Sequence, residues 1–197
     1  HHGTFGIASS FSLSMPKLIT TGQGGFVVTN NFKIFNKIKE LKNFGRKTDG
    51  NDIYFSTGYN FKFTDLQSSL GLSQIRNISY RAKQKKMIFK NYYNELKKIK
   101  EIEMFKFNNN ETPWFVDIYL KNPNKLKNYL KRFNIMSRNV YPPLNTLKIF
   151  NLKGSFETSE YYCRRGLWLP SSINLSKKDI KFITNKIKNF IVNHAKN

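Results

Sequence analysis

Ser10-Phe11-Ser12-Leu13-Ser14-Met15-Pro16-Lys17, continued by Leu18-Ile19-Thr20-Thr21-Gly22-Gln23-Gly24-Gly25, sets one lysine between an extended Ser/Phe segment and a Thr/Gly-rich turn. A lysine held that way can present its amine to an aldehyde and form a Schiff base. Residues 5–12 read as a buried strand entering the lysine loop, and Gly25 to Thr29 as a second strand, rich in β-formers and led in by glycine. Gly22-Gln23-Gly24-Gly25 is not a phosphate-binding loop, because it lacks the Gly-x-Gly-x-x-Gly spacing and leads into a strand instead of a helix. It reads as a tight turn that positions Lys17. Taken alone, the lysine reads first as a solvated side chain beside a turn.

Downstream, Asn30 or Asn31 caps a helix with Ile34, Phe35, Ile38 and Leu41 on one face, and Gly45 stands where a helix C-terminal glycine belongs. Residues 45–62 read as a loop. Thr64-Asp65-Leu66-Gln67 has capping-box spacing and opens a long helical region. That region loses phase at Arg76 to Arg81, the expected kink or domain boundary, and resumes with Ile88, Tyr92, Leu96 and Ile99 on one face. Beyond it, strands are expected at 101–107 and 114–120, a helix at 124–133, and a short strand from Ile135 to Val140. A loop at 141–154 and a helix from Tyr161 to Leu167, ended by Leu169-Pro170, come next. The last helix opens at Ser176-Lys177-Lys178-Asp179 and carries Ile180, Ile183, Ile187 and Phe190 at helical spacing.

Composition narrows the function classes. The chain has 197 residues, 39% apolar and 15% aromatic, which is ample for a packed core. A formal charge of +22 invites a nucleic-acid reading. The lysines, however, are spread through every segment, as a compositional bias would leave them, so nucleic-acid binding is not the expected function. A basic surface also steers anionic small substrates. Cys163 is the one cysteine, so no intramolecular disulfide forms, and the expected compartment is the cytoplasm. The histidines His1, His2 and His194 lie at the ends and make no zinc site. No apolar run is long enough to span a membrane, so no membrane partner is expected.

Four blocks together resemble a known family. Ser10-Phe11-Ser12 through Pro16-Lys17 and Thr20-Thr21-Gly22-Gln23-Gly24-Gly25 to Thr29-Asn30 is similar to the cofactor-lysine segment of the DegT/DnrJ/StrS sugar aminotransferases, with wording most like the perosamine-type members. Gly3-Thr4-Phe5-Gly6 is similar to the strand lead-in of that family. Gly58-Tyr59-Asn60-Phe61-Lys62-Phe63-Thr64-Asp65-Leu66-Gln67-Ser68-Ser69-Leu70-Gly71 resembles its second long block, and Arg138 with Tyr141-Pro142-Pro143-Leu144 resembles its small-domain motif. The resemblance runs along essentially the whole chain.

It implies an α/β fold: the C-terminal part of a fold type I pyridoxal-phosphate large domain over residues 1–80, followed by a small α+β domain over 81–197. It implies pyridoxal 5'-phosphate as cofactor, with Lys17 as the Schiff-base lysine and later the proton-transfer base. Ser12 matches the serine that hydrogen-bonds the cofactor phosphate, and Asn60 the asparagine that reaches the phosphate in a neighbouring subunit, so a homodimer with a shared site is implied. Lys62 stands where many members have arginine; it keeps the charge and loses the bidentate fork. Tyr141 and Asn145 fall at substrate-binding positions, Asn145 where many relatives have histidine. The bland readings stay open: a strand serine for Ser12, a turn residue for Asn60 and a packing ring for Tyr141.

The implied reaction passes nitrogen from glutamate to a nucleotide-linked keto-deoxysugar, 4-keto-6-deoxy in form. The family's deoxygenating members replace the lysine by histidine, which Lys17 disfavours. The phosphate-holding helix start, the ring-stacking aromatic and the pyridinium-pairing aspartate of the family lie outside these residues. The chain therefore reads as a C-terminal half that does not transaminate alone. The alternatives are a non-catalytic fragment and a basic nucleic-acid-binding module.

Overall fold

A computed structural model describes residues 1–150 and 152–194. It divides into two compact units, His1–Ser79 and Tyr80–Asn197.

The first unit is built on an antiparallel pair, β1 (Ala8–Ser12) and β2 (Gly25–Thr29), in register from Ala8↔Thr29 to Ser12↔Gly25. Helix α1 (Phe32–Lys42) follows at once. Its cap is Asn31, whose side chain accepts from the Ile34 N–H, the bond that an Asx residue with extended backbone offers to an orphan helix donor. The helix ends as expected: Phe44 and Gly45 take φ of 59° and 80°, and the Gly45 N–H returns to the Glu40 carbonyl at 2.9 Å. Helix α2 (Asp65–Ile75) opens on the Thr64–Gln67 capping box, with both reciprocal bonds formed.

The long helical region breaks after Ile75 and resumes as α3 (Ile78–Leu96). The expected burial of the first strand is corrected. No residue of β1, α1 or α2 is buried, and Phe5, Ile7, Phe32, Phe61 and Leu66 are each more than two-thirds exposed.

The second unit has its own core. A three-stranded antiparallel sheet runs in the order β3 (Val116–Tyr119), β5 (Gly166–Leu169), β4 (Arg138–Asn139). One of its faces carries Val116, Ile118, Leu167 and Leu169. These meet Ile88, Tyr92 and Leu96 of α3, Leu126 and Leu130 of α4 (Pro123–Lys131), and Ile180, Ile183, Ile187 and Phe190 of α6 (Lys177–His194). The helical spacings read from the sequence for α3 and α6 are the ones that put these side chains into the core.

Three local expectations change. Residues 101–107 form no strand; they make one bridge, Glu103↔Tyr119, with two 2.9 Å backbone bonds. Past it the chain is tied to α3 instead, where the Lys86 Nζ donates to the Asn109 carbonyl at 2.6 Å. The strand expected from Ile135 to Val140 shrinks to Arg138–Asn139. The helix expected over Tyr161 to Leu167 is α5 (Glu157–Arg165), and Gly166 to Leu169 is the central strand. Gly166 is the pivot. A Cβ there would lie 2.6 Å from Val140 Cγ1, so only glycine lets the chain turn from helix into strand against the β4 segment.

Candidate active site

Beyond the Ser12↔Gly25 pair the chain makes the loop that carries Lys17. Its base is stitched by two backbone bonds: the Leu13 N–H to the Gly24 carbonyl at 2.9 Å, and the Thr21 N–H to the Leu13 carbonyl at 3.0 Å. Two threonines fix the turn from inside. The Thr20 hydroxyl donates to the Leu13 carbonyl at 3.0 Å and accepts from the Gly22 N–H at 2.9 Å, while the Thr21 hydroxyl donates to the Gln23 carbonyl at 2.7 Å. Polar side chains placed this way satisfy loop backbone that no ladder reaches.

Helix α2 holds the same loop from outside. The Gln67 amide N–H donates to the Gln23 carbonyl at 3.0 Å, and the Thr20 N–H donates to the Gln74 Oε1 at 3.2 Å. Sequence reading had Gln67 as a cap and within the second family block, had Thr20 and Thr21 in the turn without their bonds, and had no role for Gln74. Gln74, fifty-four residues from Thr20, left no signal.

Lys17 sits half-buried at the end of a turn closed by its own N–H to the Ser14 carbonyl at 3.0 Å. Ser12 is exposed at the end of β1, and its hydroxyl lies 2.9 Å from that of Ser14. The Ser12 oxygen also accepts from the Ser14 N–H at 3.2 Å. One short loop thus offers an amine and paired hydroxyls. An aldehyde that also bears a phosphate needs those groups, an amine for the carbon and O–H donors for the oxyanion, so the donor set fits pyridoxal phosphate.

Asn60 and Lys62 lie on a separate segment that returns along the end of α1. Asn60 bridges Asn43, and the Phe61 N–H donates to the Lys42 carbonyl at 3.0 Å. The Lys62 ammonium lies 4.8 Å from the Phe44 ring centre, opposite no carboxylate in the ion pairs of the described residues. Arg46, over the same ring at 5.2 Å, pairs with Asp52 at 2.9 Å.

Tyr141 and Asn145 belong to the second unit. The Tyr141 ring meets Trp168 edge-on at 4.9 Å, and the Arg138 guanidinium caps both rings at 5.1 and 5.6 Å. Asn145 donates to the Glu160 carboxylate at 3.0 Å, so its amide is already engaged with α5. Beside this cluster Asp117 pairs across the sheet with Trp168, on the face away from the core. Burial pushes the Asp117 carboxyl above its ordinary range, partly offset by a hydrogen bond from Trp168. Tyr119, two residues on, is pushed up to about 12 by burial and by neighbouring acidic groups.

Among the described residues no cluster of His, Cys, Asp or Glu could hold a metal, and no helix is long and apolar enough to cross a membrane.

Comparison with known proteins bears on the family and the fold. The profile of the DegT/DnrJ/EryC1/StrS aminotransferase family matches residues 1–188. The GDP-perosamine synthase of Vibrio cholerae is 32% identical over 198 residues, an alignment covering 95% of this chain and 54% of that protein. The aminotransferase TlmJ from Streptoalloteichus hindustanus superposes with a TM-score of 0.89 at 17% identity, over 97% of this chain and 54% of that one. The E. coli GDP-4-keto-6-deoxy-D-mannose-3-dehydratase with bound hydrated PLP gives a TM-score of 0.83 at 15% identity, over 94% and 55% of the two chains. The chain thus spans about half the length of the relatives it matches. The fold is α/β, that of fold type I enzymes. By the match over nearly its whole length, this chain belongs to the DegT/DnrJ/EryC1/StrS aminotransferase family.

Proposed function

We propose that this chain is part of an enzyme that moves an amino group from glutamate to a nucleotide-linked keto-deoxysugar, 4-keto-6-deoxy in form. The observation that carries the reading is Lys17 on a loop fixed at its base, from inside by Thr20 and Thr21 and from α2 by Gln67 and Gln74. The 32% identity with a GDP-perosamine synthase supports the substrate class.

Pyridoxal phosphate, when bound, supplies the electron sink that lets nitrogen pass between two carbonyl carbons. Lys17 anchors it through the side-chain amine. With the cofactor and an amino substrate bound, the Lys17 Nζ would also serve as the base that holds and moves a proton at the substrate carbon. The tied loop base would limit the positions open to Nζ, which is where orientation contributes to rate. Ser12, with Ser14 beside it, donates to the phosphate. Asn60 reaches the phosphate in the site of a second copy, so the working form is a homodimer.

Lys62 supplies a point charge to the phosphates of the sugar nucleotide. Tyr141 gives the sugar a ring held in place by Trp168 and Arg138. Asn145, bound to Glu160, orients the sugar through its remaining amide oxygen and proton. The first unit is the C-terminal part of the large domain and the second unit the small domain.

The test supplies the remaining half of the protein together with this chain and follows 2-oxoglutarate from glutamate with a nucleotide-linked 4-keto-6-deoxysugar as acceptor. Turnover by the assembled protein, none by the chain alone, and loss of at least about a thousandfold in Lys17→Ala are expected. Deoxygenation of the sugar without amine incorporation overturns the reading.

A further inference from the structure

The second unit carries a groove of about 430 Å3 between one side of α3 and residues 106–113, and none of its lining enters the reading of Lys17. Lys86, Lys90, Tyr93 and Lys97 recur at helical spacing along that side, next to the strip that buries Ile88, Tyr92 and Leu96. The floor is aromatic. Phe107 meets Phe89 edge-on at 4.8 Å, and the Tyr93 ring lies 5.8 Å from Phe89.

The far wall is tied in place. The Lys86 Nζ donates to the Asn109 carbonyl at 2.6 Å. The Asn108 N–H donates to the Glu111 carboxylate at 2.7 Å, and the Glu111 N–H returns to the Asn108 carbonyl at 3.0 Å. Glu111 is the one carboxylate of the lining, and that bond turns it toward its own loop. Lys90, Lys97 and Lys106 take part in none of the ion pairs of the described residues. The Lys97 ammonium stands 5.5 Å from the Tyr93 ring centre, so a cation and a ring already share one end of the groove.

We infer that this groove binds a mononucleotide. Lys90, Lys97 and Lys106 take the phosphates, and the base lies against Tyr93 and Phe107. The volume falls in the range of small-molecule sites, which runs from roughly 300 to 1,000 Å3. Lysines on flexible stems suit phosphate as point charges, and rings beneath them accept a base of any identity by stacking. The charge of +22 concentrates such anions at the surface. Because the wall facing α3 is a loop tied at Asn109, the groove accommodates a single nucleotide and not a long strand.

Isothermal titration of the whole chain with ADP and with GDP, at about 0.15 M salt so that diffuse attraction is screened, tests this. Saturable one-to-one binding of both is expected, weakened at least about tenfold in the double variant Lys90→Gln, Lys97→Gln. In Tyr93→Leu, ADP and GDP binding falls while any binding of inorganic pyrophosphate does not. The substituted lysines are exposed, and an unchanged circular dichroism melt shows that the variants fold. GDP binding that is lost in Lys62→Gln and kept in the Lys90, Lys97 double variant would place the nucleotide at the proposed sugar-nucleotide site and overturn the groove, so this site and the proposed reaction fail separately. Pyrophosphate binding as tightly as GDP, no loss in the double variant, or affinity that climbs with oligonucleotide length each overturns it.

Discussion

Gln67 closes two structures with one amide. Its Oε1 accepts from the Thr64 N–H at 3.0 Å to complete a helix cap, and its Nε2 donates to the Gln23 carbonyl beside the lysine loop. The first bond follows from spacing in the sequence; the second depends on where α2 lies, and nothing local encodes it. The same division runs through the site. Lys17 was suggested by a local pattern, a lysine between a strand and a glycine turn, and it and Ser12 were assigned by the family resemblance, whereas Gln74 and the Arg138–Tyr141–Trp168 stack are products of distant packing.

Asp117 shows what packing does to chemistry that a sequence leaves unmarked. Burial raises its folded-state pKa, so between the unfolded and folded values the folded chain holds a proton that the unfolded chain has released. The stabilising share of Asp117 is therefore complete below the unfolded carboxylate range and is lost as pH rises through the folded value. Asp117→Asn removes that loss. Thermal melts from about pH 3 to about pH 7 are expected to show the variant gaining on the parent as pH rises. A constant difference between the two would show that the carboxyl is not held protonated by burial.

At the scale of elements, boundaries written as side-chain caps were legible and those set by neighbours were not. Asn31, Thr64 and Ser176 each accept the backbone bond that their spacing predicts, with the Asp179 N–H reaching the Ser176 hydroxyl at 3.2 Å. The central strand β5 was hidden inside an expected helix. Its four residues are too few for a periodic signal, and Gly166 marks the change only through its closeness to Val140. Residues 101–107 erred the other way, strand-like in pattern yet paired at a single residue. The Thr64 cap carries a measurable share of α2. Thr64→Ala is expected to weaken α2 locally by about 1 kcal/mol, read as faster amide hydrogen exchange in its first turns, and Thr64→Ser to change it almost not at all. Equal losses in both would mean that the hydroxyl is not the capping group.

For the whole molecule, the decisive fact is where apolar surface goes. Every buried hydrophobic side chain among the described residues, from Ile88 to Phe190, belongs to the second unit, while the first unit buries only Thr21, Asn43 and Gly45. Hydrophobic burial is the dominant favourable term in folding, so the two units differ in what holds them. A segment of residues 80–197 is expected to unfold cooperatively with dispersed methyl resonances, and a segment of 1–79 to show neither. A cooperative melt of the shorter segment would contradict this.

Lys17 lies on the unit whose large apolar side chains stay exposed, and the chain spans about half the length of the relatives it matches. The central claim is that this lysine, among 34 basic residues, is the cofactor's anchor. Reducing the assembled, pyridoxal-phosphate-loaded protein with borohydride and mapping the modified peptide by mass spectrometry tests it directly. The account predicts one pyridoxyl group, on the peptide bearing Lys17 and absent from Lys17→Ala; label on another lysine, or spread over many, would contradict it.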